Sequence, residues 1–308
     1  MKEKKYDLVI IGGGPAGMTA GIYAGRQKLN ILLITKNFGG QVSRKAVDIE
    51  NYPGFKKISG INLIGKFEEH LRQENIDIKE GLVVRVEKNN NVFSVFTEGK
   101  NSFKCRAVII ASGADPRPLE IPGEKEFIGK GVSYCSLCDG PLFSGKTVAV
   151  VGGGNAGFES AIFLSNYVKK IYILEYKTEI NADKTNQDII RKTKKAEIIT
   201  NISLKEIKGE NFVNSIVCED RKTKKEKILP VDGLFVEIGS QPATSFVKNL
   251  VEFNERDEIK VEFETFKTKT PGLFAVGDVN IGQYKQIVTA CAEGCKAALS
   301  AYQYLRKN

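Results

Sequence analysis

The sequence predicts an α/β fold of two domains, each opening on a strand, a glycine turn and a helix. Three observations carry this expectation. The chain has 308 residues of which 42% are apolar, enough to bury a core in each of two domains. The stretch YDLVIIGGGPAG at Tyr6 to Gly17 returns without a gap as KTVAVVGGGNAG at Lys146 to Gly157, 140 residues on. A second pair, AVIIASGADPRP at Ala107 to Pro118 and DGLFVEIGSQPA at Asp232 to Ala243, matches with Gly113 and Pro116 falling on Gly239 and Pro242 at an offset of 126. One unit is used twice.

In the first copy a short β-branched strand runs into Gly12, Gly14 and Gly17, spaced GxGxxG, and an apolar helix is expected over Met18 to Arg26. The first glycine permits the tight turn, the second lets a pyrophosphate approach the backbone, and the third lets helix pack on strand. Pro15 and Ala16 complete that turn. The second copy repeats the spacing at Gly152, Gly154 and Gly157, with Asn155 and Ala156 between and a helix expected over Phe158 to Val168. Two copies in matching contexts predict two dinucleotide sites.

The residues after each turn separate the two sites. An acidic side chain at the end of the next strand takes a ribose diol, and a basic one takes a 2′-phosphate. After the second turn the strand Ile171 to Leu174 is followed by Glu175, which accepts hydrogen bonds from a free diol and repels a 2′-phosphate. A nicotinamide nucleotide bound there is expected to be NADH rather than NADPH. After the first turn the strand ILLI ends at Thr35 and Lys36, without an acid.

Between the copies lies SYCSLCDG, Ser133 to Gly140. A CxxC at a helix start brings both sulfurs within disulfide reach and favours the thiolate, so Cys135 and Cys138 are expected to cycle between dithiol and disulfide. Asp139 is placed to move a proton to or from a sulfur. No other Cys or His is spaced to complete a metal shell, so no metal is expected. Cys105 and Cys218 read as small apolar fillers in strands. Cys291 and Cys295 share a face of the C-terminal helical segment, where an i, i+4 pair suits packing better than a disulfide.

Several classes of function are excluded. The single histidine, His70, sits on the amphipathic stretch Ile61 to Arg72 and reads as a surface residue, so chemistry needing two imidazoles is absent. The net charge of +9 gathers mainly in the first 117 residues, while the basic runs of the middle segment are nearly cancelled by acids. Nucleic acid is not an expected partner; an acidic protein is. The N-terminus MKEKKYDLVI runs from charge straight into a strand, and no apolar run of membrane-spanning length occurs, so a cytoplasmic protein without membrane contact is expected.

The ordered set IGGGPAG, GGQ at Gly39 to Gln41, IENYPGF at Ile49 to Phe55, ASGADPRPLEIPGE at Ala111 to Glu124, SYCSLCDG, GGGNAG, GLFVEIGSQP at Gly233 to Pro242, TPGLFAVGDV at Thr270 to Val279 and YKQIVTACAEGCKAA at Tyr284 to Ala298 resembles the low-molecular-weight thioredoxin reductases. These flavoproteins include the reductase part of alkyl hydroperoxide reductase flavoprotein subunits. The resemblance implies two Rossmann-like, three-layer ββα domains, the second inserted into the first. Residues 1–116 and 245–308 would bind FAD, and 117–244 would carry the nicotinamide nucleotide and the dithiol.

The first glycine turn would then hold the FAD pyrophosphate, and Asp278, after Gly277, the ribityl chain. Gly40, Gln41, Asn51, Gly113, Gln286 and Ile287 match positions around the flavin, and Gly239 one beside the nicotinamide nucleotide. The resemblance implies that electrons enter the pair at Cys138, with Asp139 as proton donor, and that Cys135 is the outer thiol that attacks an acceptor's disulfide. The acceptor would be thioredoxin or a glutaredoxin-like carrier, the inserted domain would rotate about hinges near Arg117 and Pro242 to Phe246, and the enzyme would be a homodimer. At the donor site the sequence departs from the NADPH type: Glu175, Tyr176, Lys177 and Asn181 stand where that type has an HRR run and a further arginine. The alternatives are electron supply by an acidic ferredoxin, service as the NADH component of a hydroperoxide-reducing system, and a flavin-bound sensor without turnover.

Overall fold

A computed structural model describes residues 5–45, 48–99 and 101–307. Residues 1–4, which carry part of the N-terminal reading, lie outside the described residues. The chain divides into two compact units: Met1–Asp115 with Gln241–Asn308, and Pro116–Ser240. The inserted unit is thus 116–240 rather than the 117–244 assigned from sequence.

In the first unit β1 (Lys5–Gly13) leads through the glycine turn into α1 (Pro15–Arg26) and β2 (Ile31–Phe38). The helix begins at Pro15, three residues before its predicted start, because proline is pre-organised for the first helical position. A short helix α2 (Gln41–Lys45) and a two-stranded ladder of β3 (Asp48–Ile49) and β4 (Ile58–Ser59) precede α3 (Gly60–Gln73), whose N-cap Ser59 accepts the Asn62 amide. Then come β5 (Asp77–Glu80) and the antiparallel run β6 (Val83–Asn89), β7 (Val92–Thr97) and β8 (Ser102–Ile110). β9 (Ala114–Pro116) leads into the inserted unit.

The inserted unit opens with β10 (Val132–Ser133) and the one-turn helix α4 (Ser136–Asp139). It repeats the first motif as β11 (Thr147–Val151), α5 (Asn155–Leu164) and β12 (Lys170–Leu174). Here too the helix starts three residues before the predicted Phe158, and it ends at Leu164, short of the predicted Val168. α6 (Lys184–Thr193), β13 (Ala196–Ile199), the antiparallel β14 (Ile202–Gly209), β15 (Val213–Asp220) and β16 (Glu226–Pro230), and then β17 (Gly233–Val236) follow. β18 (Ser240–Pro242) returns the chain to the first unit, which ends with β19 (Leu273–Ala275) and α7 (Ile287–Lys307).

The strand order is β5-β2-β1-β8-β7-β6 in the first unit, with β19 beside β8, and β10-β17-β11-β12-β13, all parallel, in the second. Both sheets are covered on two faces, which is why their central strands are continuously apolar. Leu8 and Ile10 of β1 belong to one buried cluster and Val9 and Ile11 to another. In β11, Val148 and Val150 face one cluster and Ala149 and Val151 the other. Each such fully buried aliphatic side chain contributes roughly 1.5–3 kcal/mol. The glycine turns therefore hang from rigid strand ends. Among the described residues no helix is long and apolar enough to cross a membrane.

Candidate functional site

The first glycine turn is built by contacts that leave no room for side chains. A Cβ on Gly12 would lie 2.2 Å from Ala111 O, and one on Gly17 1.9 Å from Gly12 O. Gly14 is different: it caps α1 without a side-chain hydrogen bond, and nothing lies within 4 Å of a Cβ built on it. The second turn repeats this, with Gly152 held against Glu237 O at 2.3 Å, Gly157 against Gly152 O at 1.9 Å, and Gly154 open. In each copy the helix thus presents its first amides to an uncrowded glycine, a cradle that fits a pyrophosphate.

The first unit gathers the other predicted residues around its turn. A Cβ on Gly40 would come 3.9 Å from Gly14 Cα, and one on Gly277 3.1 Å from the Ala16 Cβ. Gln41 donates to Ala114 O and to Asp278 Oδ2 at 3.3 Å. Asn51 donates to Gln286 Oε1 at 3.3 Å, and Ile287 opens α7 beside it. Gly113 turns the chain after β8 with a φ of +69°, and its carbonyl accepts the Ala243 amide. Burial pushes the Asp278 carboxyl up; Lys285 opposes this and Glu258 adds to it. Such a buried carboxylate has the acceptor capacity to suit the hydroxyls of a ribityl chain.

Two residues that sequence reasoning missed hold Asp278 in place. Lys285 Nζ donates to Asp278 O and Asn280 O and pairs with Glu258 at 3.0 Å. Glu293, buried on α7, accepts the Gly277 amide and the Asn280 side chain, each at 2.7 Å. Both lie in the YKQIVTACAEGCKAA stretch, where a carboxylate amid small apolar residues is the available signal.

In the inserted unit Cys135 and Cys138 form a disulfide. Cys135 is the N-cap of α4, and its Sγ accepts the Cys138 amide at 3.2 Å. As residues, Cys138 is exposed and Cys135 half-buried. The helix start favours Cys135 as the thiolate, because the amide hydrogen bond stabilises negative charge on its sulfur. Asp139 is not an exposed helix-start carboxylate. Burial pushes its pKa up, while the hydrogen bond from Ser133 Oγ at 2.6 Å pulls it down. Ser133, which in the sequence is only the first letter of a motif, is thus a direct partner of the acid.

Glu175 stands at the end of β12, where its Oε2 accepts the Gly153 amide at 2.5 Å and its Oε1 the Lys177 amide at 2.7 Å. An ionised carboxylate offers about four acceptor sites, so both oxygens keep a place for a ribose hydroxyl. Asn155 exchanges hydrogen bonds with Asp183, the N-cap of α6, and Ala156 lies exposed in the first turn of α5. Gly239, at φ +97°, accepts the Arg117 amide. A surface cavity of about 440 Å³ is lined by Lys177, Thr178, Glu179, Asn181 and Arg221, from the stretch that follows Glu175 and from just past the end of β15. The Arg221 guanidinium lies 3.7 Å over the Tyr176 ring.

Cys105 and Cys218 are buried in β8 and β15, and burial raises both thiols. Cys291 and Cys295 lie half-buried on α7, with the Tyr52 hydroxyl 3.9 Å from the Cys291 sulfur. His70 is exposed on α3.

The chain matches the family model "Pyridine nucleotide-disulphide oxidoreductase" over residues 6–294. It is 41% identical to the F subunit of alkyl hydroperoxide reductase from Staphylococcus aureus strain MRSA252, over 99% of this chain and 60% of that protein. The chain therefore spans about three fifths of those relatives' length. Among solved structures it is similar to thioredoxin reductase from Streptococcus pyogenes MGAS5005, at 37% identity and a TM-score of 0.94, with 99% of each chain covered. Thioredoxin reductase from Giardia duodenalis is 32% identical at the same TM-score of 0.94, covering 99% of this chain and all of that one. With its two glycine turns, its CxxC disulfide and these likenesses, the chain belongs to the pyridine nucleotide-disulphide oxidoreductase family and is similar to its low-molecular-weight thioredoxin reductases.

Proposed function

We propose that the chain is an FAD-dependent disulfide reductase that takes electrons from NADH and passes them through Cys135 and Cys138 to the disulfide of a thioredoxin-like protein. The observation that carries this reading is the Cys135–Cys138 disulfide on α4, in the same unit as the glycine turn that faces Glu175. In the first unit the turn from Gly12 to Gly17 would hold the FAD pyrophosphate, and Asp278, Gln41, Gly40, Gly113, Asn51, Gln286 and Ile287 would surround the rest. When bound, the flavin supplies a two-electron couple between a hydride donor and a disulfide.

The protein's own part is sulfur and proton chemistry. When the disulfide takes up an electron pair at the exposed Cys138, the bond to Cys135 breaks and Cys135 leaves as a thiolate, stabilised by the Cys138 amide. Asp139, whose pKa burial pushes up, gives a proton to the dithiol. The Cys135 thiolate then attacks the acceptor's disulfide, and Cys138 resolves the mixed disulfide, so two electrons reach the acceptor, whose two sulfurs take one proton from the dithiol and one from solvent.

Glu175 supports NADH as the donor, because a 2′-phosphate would face its carboxylate. The likeness to hydroperoxide reductase flavoprotein subunits favours a second acceptor, a separate CxxC protein that serves a peroxidase. Anaerobic titration of the flavin-loaded protein tests the donor. Bleaching by NADH alone supports the reading, and equal bleaching by NADPH defeats it. Bleaching by neither, but by reduced ferredoxin, assigns the donor to ferredoxin.

A further inference from the structure

Ser136, Ser160 and Glu237 form a hydrogen-bond chain inside the inserted unit that the sulfur chemistry leaves unused. Ser136 lies between the two cysteines and is buried. Its hydroxyl is 2.7 Å from that of Ser160, buried on α5. Ser160 in turn donates to Glu237 Oε1, just past the end of β17. A hydroxyl carries one proton, so Ser160's donation to Glu237 makes Ser136 the donor in the first bond. The chain runs one way, from the CxxC turn to the carboxylate. Its far end sits at the second glycine turn, where the Glu237 amide donates to Val151 O and its carbonyl closes on Gly152.

We propose that Glu237 is a positioning residue for the Cys135–Cys138 couple, holding the CxxC turn through Ser160 and Ser136, and that its protonation reverses the chain and resets the reactivity of the dithiol. The proposal rests on the reading that this pair is redox-active. Protonated Glu237 donates to Ser160, the Ser160 proton turns to Ser136, and the Ser136 proton is freed for another acceptor at the turn; no covalent bond outside these hydroxyl and carboxyl groups changes. Burial pushes Glu237 up to about 7, the Ser160 hydrogen bond opposes this, and Glu159, the charged group that acts on it from α5, adds to it. The reversal therefore falls near pH 7.

The test uses the full flavin-loaded chain, reduced anaerobically with dithiothreitol, freed of reductant and alkylated with iodoacetamide from about pH 5 to about pH 9. Mass spectrometry of the peptide bearing Cys135 and Cys138 separates these thiols from the other four. Wild-type protein is expected to show, besides the inflection of the thiol itself, one near pH 7 across which the rate changes roughly fivefold, the worth of one hydrogen bond. Glu237→Gln keeps an acceptor for Ser160 but does not titrate, and loses that inflection. Ser160→Ala cuts the chain and loses it too, while Glu159→Gln moves it to lower pH. An inflection that persists in Glu237→Gln, or that Ser160→Ala leaves in place, overturns the proposal. A wild-type pair that yields no Cys135 or Cys138 thiol overturns the proposed function and this inference with it.

Discussion

Thr35 and Glu175 hold the same place in the two copies of the strand–turn–helix unit. A Cβ on Gly13 would lie 2.6 Å from Thr35 Oγ1, and one on Gly153 2.5 Å from Glu175 Oε2. The Thr35 hydroxyl is spent on the Asn37 carbonyl, whereas the Glu175 carboxylate gathers the Gly153 and Lys177 amides. One turn is thus closed by a neutral hydroxyl and the other by a negative charge.

That difference predicts the outcome of moving the first residue into the second copy. Glu175→Thr removes the charge that a 2′-phosphate would meet, so the ratio of kcat/KM for NADPH over NADH is expected to rise by about 10- to 100-fold. Steady-state assays with both nucleotides read this directly. An unchanged ratio places donor selection elsewhere.

Asp139 needs its proton, and burial keeps that proton to higher pH than an ordinary carboxyl does. Asp139→Asn is expected to slow thiol formation by about 100-fold. Ser133→Ala removes the hydrogen bond that lowers the Asp139 pKa, so the alkaline limb of the pH–rate profile should move to higher pH. A limb that moves to lower pH, or stays, removes Asp139 from the role.

The two kinds of glycine in each turn separate folding from binding. Gly12, at φ +115°, has Ala111 O 2.2 Å from any Cβ, so Gly12→Ala is expected to cost several kcal/mol, about 3 or more, and to lower the melting temperature. Gly14→Ala meets nothing within 4 Å and should keep the melting temperature of the flavin-free chain while losing most bound FAD. Thermal unfolding together with flavin absorbance after gel filtration checks both.

Glu237 also makes stability depend on pH. Its carboxyl is pushed from 4.5 to about 7 in the folded chain, so the folded state holds the proton longer than the unfolded one. The contribution is fully present below about pH 4.5 and is lost as the pH rises to about 7. Glu237→Gln should therefore gain stability relative to wild type between these limits, by about 3 kcal/mol at the upper end, in denaturant titrations at both pH values. A gain that does not grow with pH contradicts the assignment.

The paired turns are legible in the sequence because their glycines answer local needs at fixed spacing, and the CxxC because four residues carry its whole geometry. The helix starts are less so: proline or asparagine at the first helical position belongs to the helix before its apolar face begins. The Ser136–Ser160–Glu237 chain is not legible by spacing, since its members lie 24 and 77 residues apart on separate elements. The offset of 126 does set Glu237 opposite Ala111, each beside the first glycine of its turn, and a carboxylate replacing alanine there is the trace left in the chain. The order of exposure of Cys135 and Cys138 depends on how α4 packs, which neither composition nor motif encodes.

Passage of electrons from a nicotinamide nucleotide through this one disulfide to another protein's can be counted directly. Flavin-loaded protein is mixed anaerobically with NADH and an excess of an oxidised thioredoxin-like protein, and the thiols formed in that acceptor are titrated. Two acceptor thiols are expected for each NADH consumed by wild-type protein and none with Cys138→Ser, whose flavin is still bleached. Bleached flavin and consumed NADH without acceptor thiols in the wild type would contradict the proposed electron path.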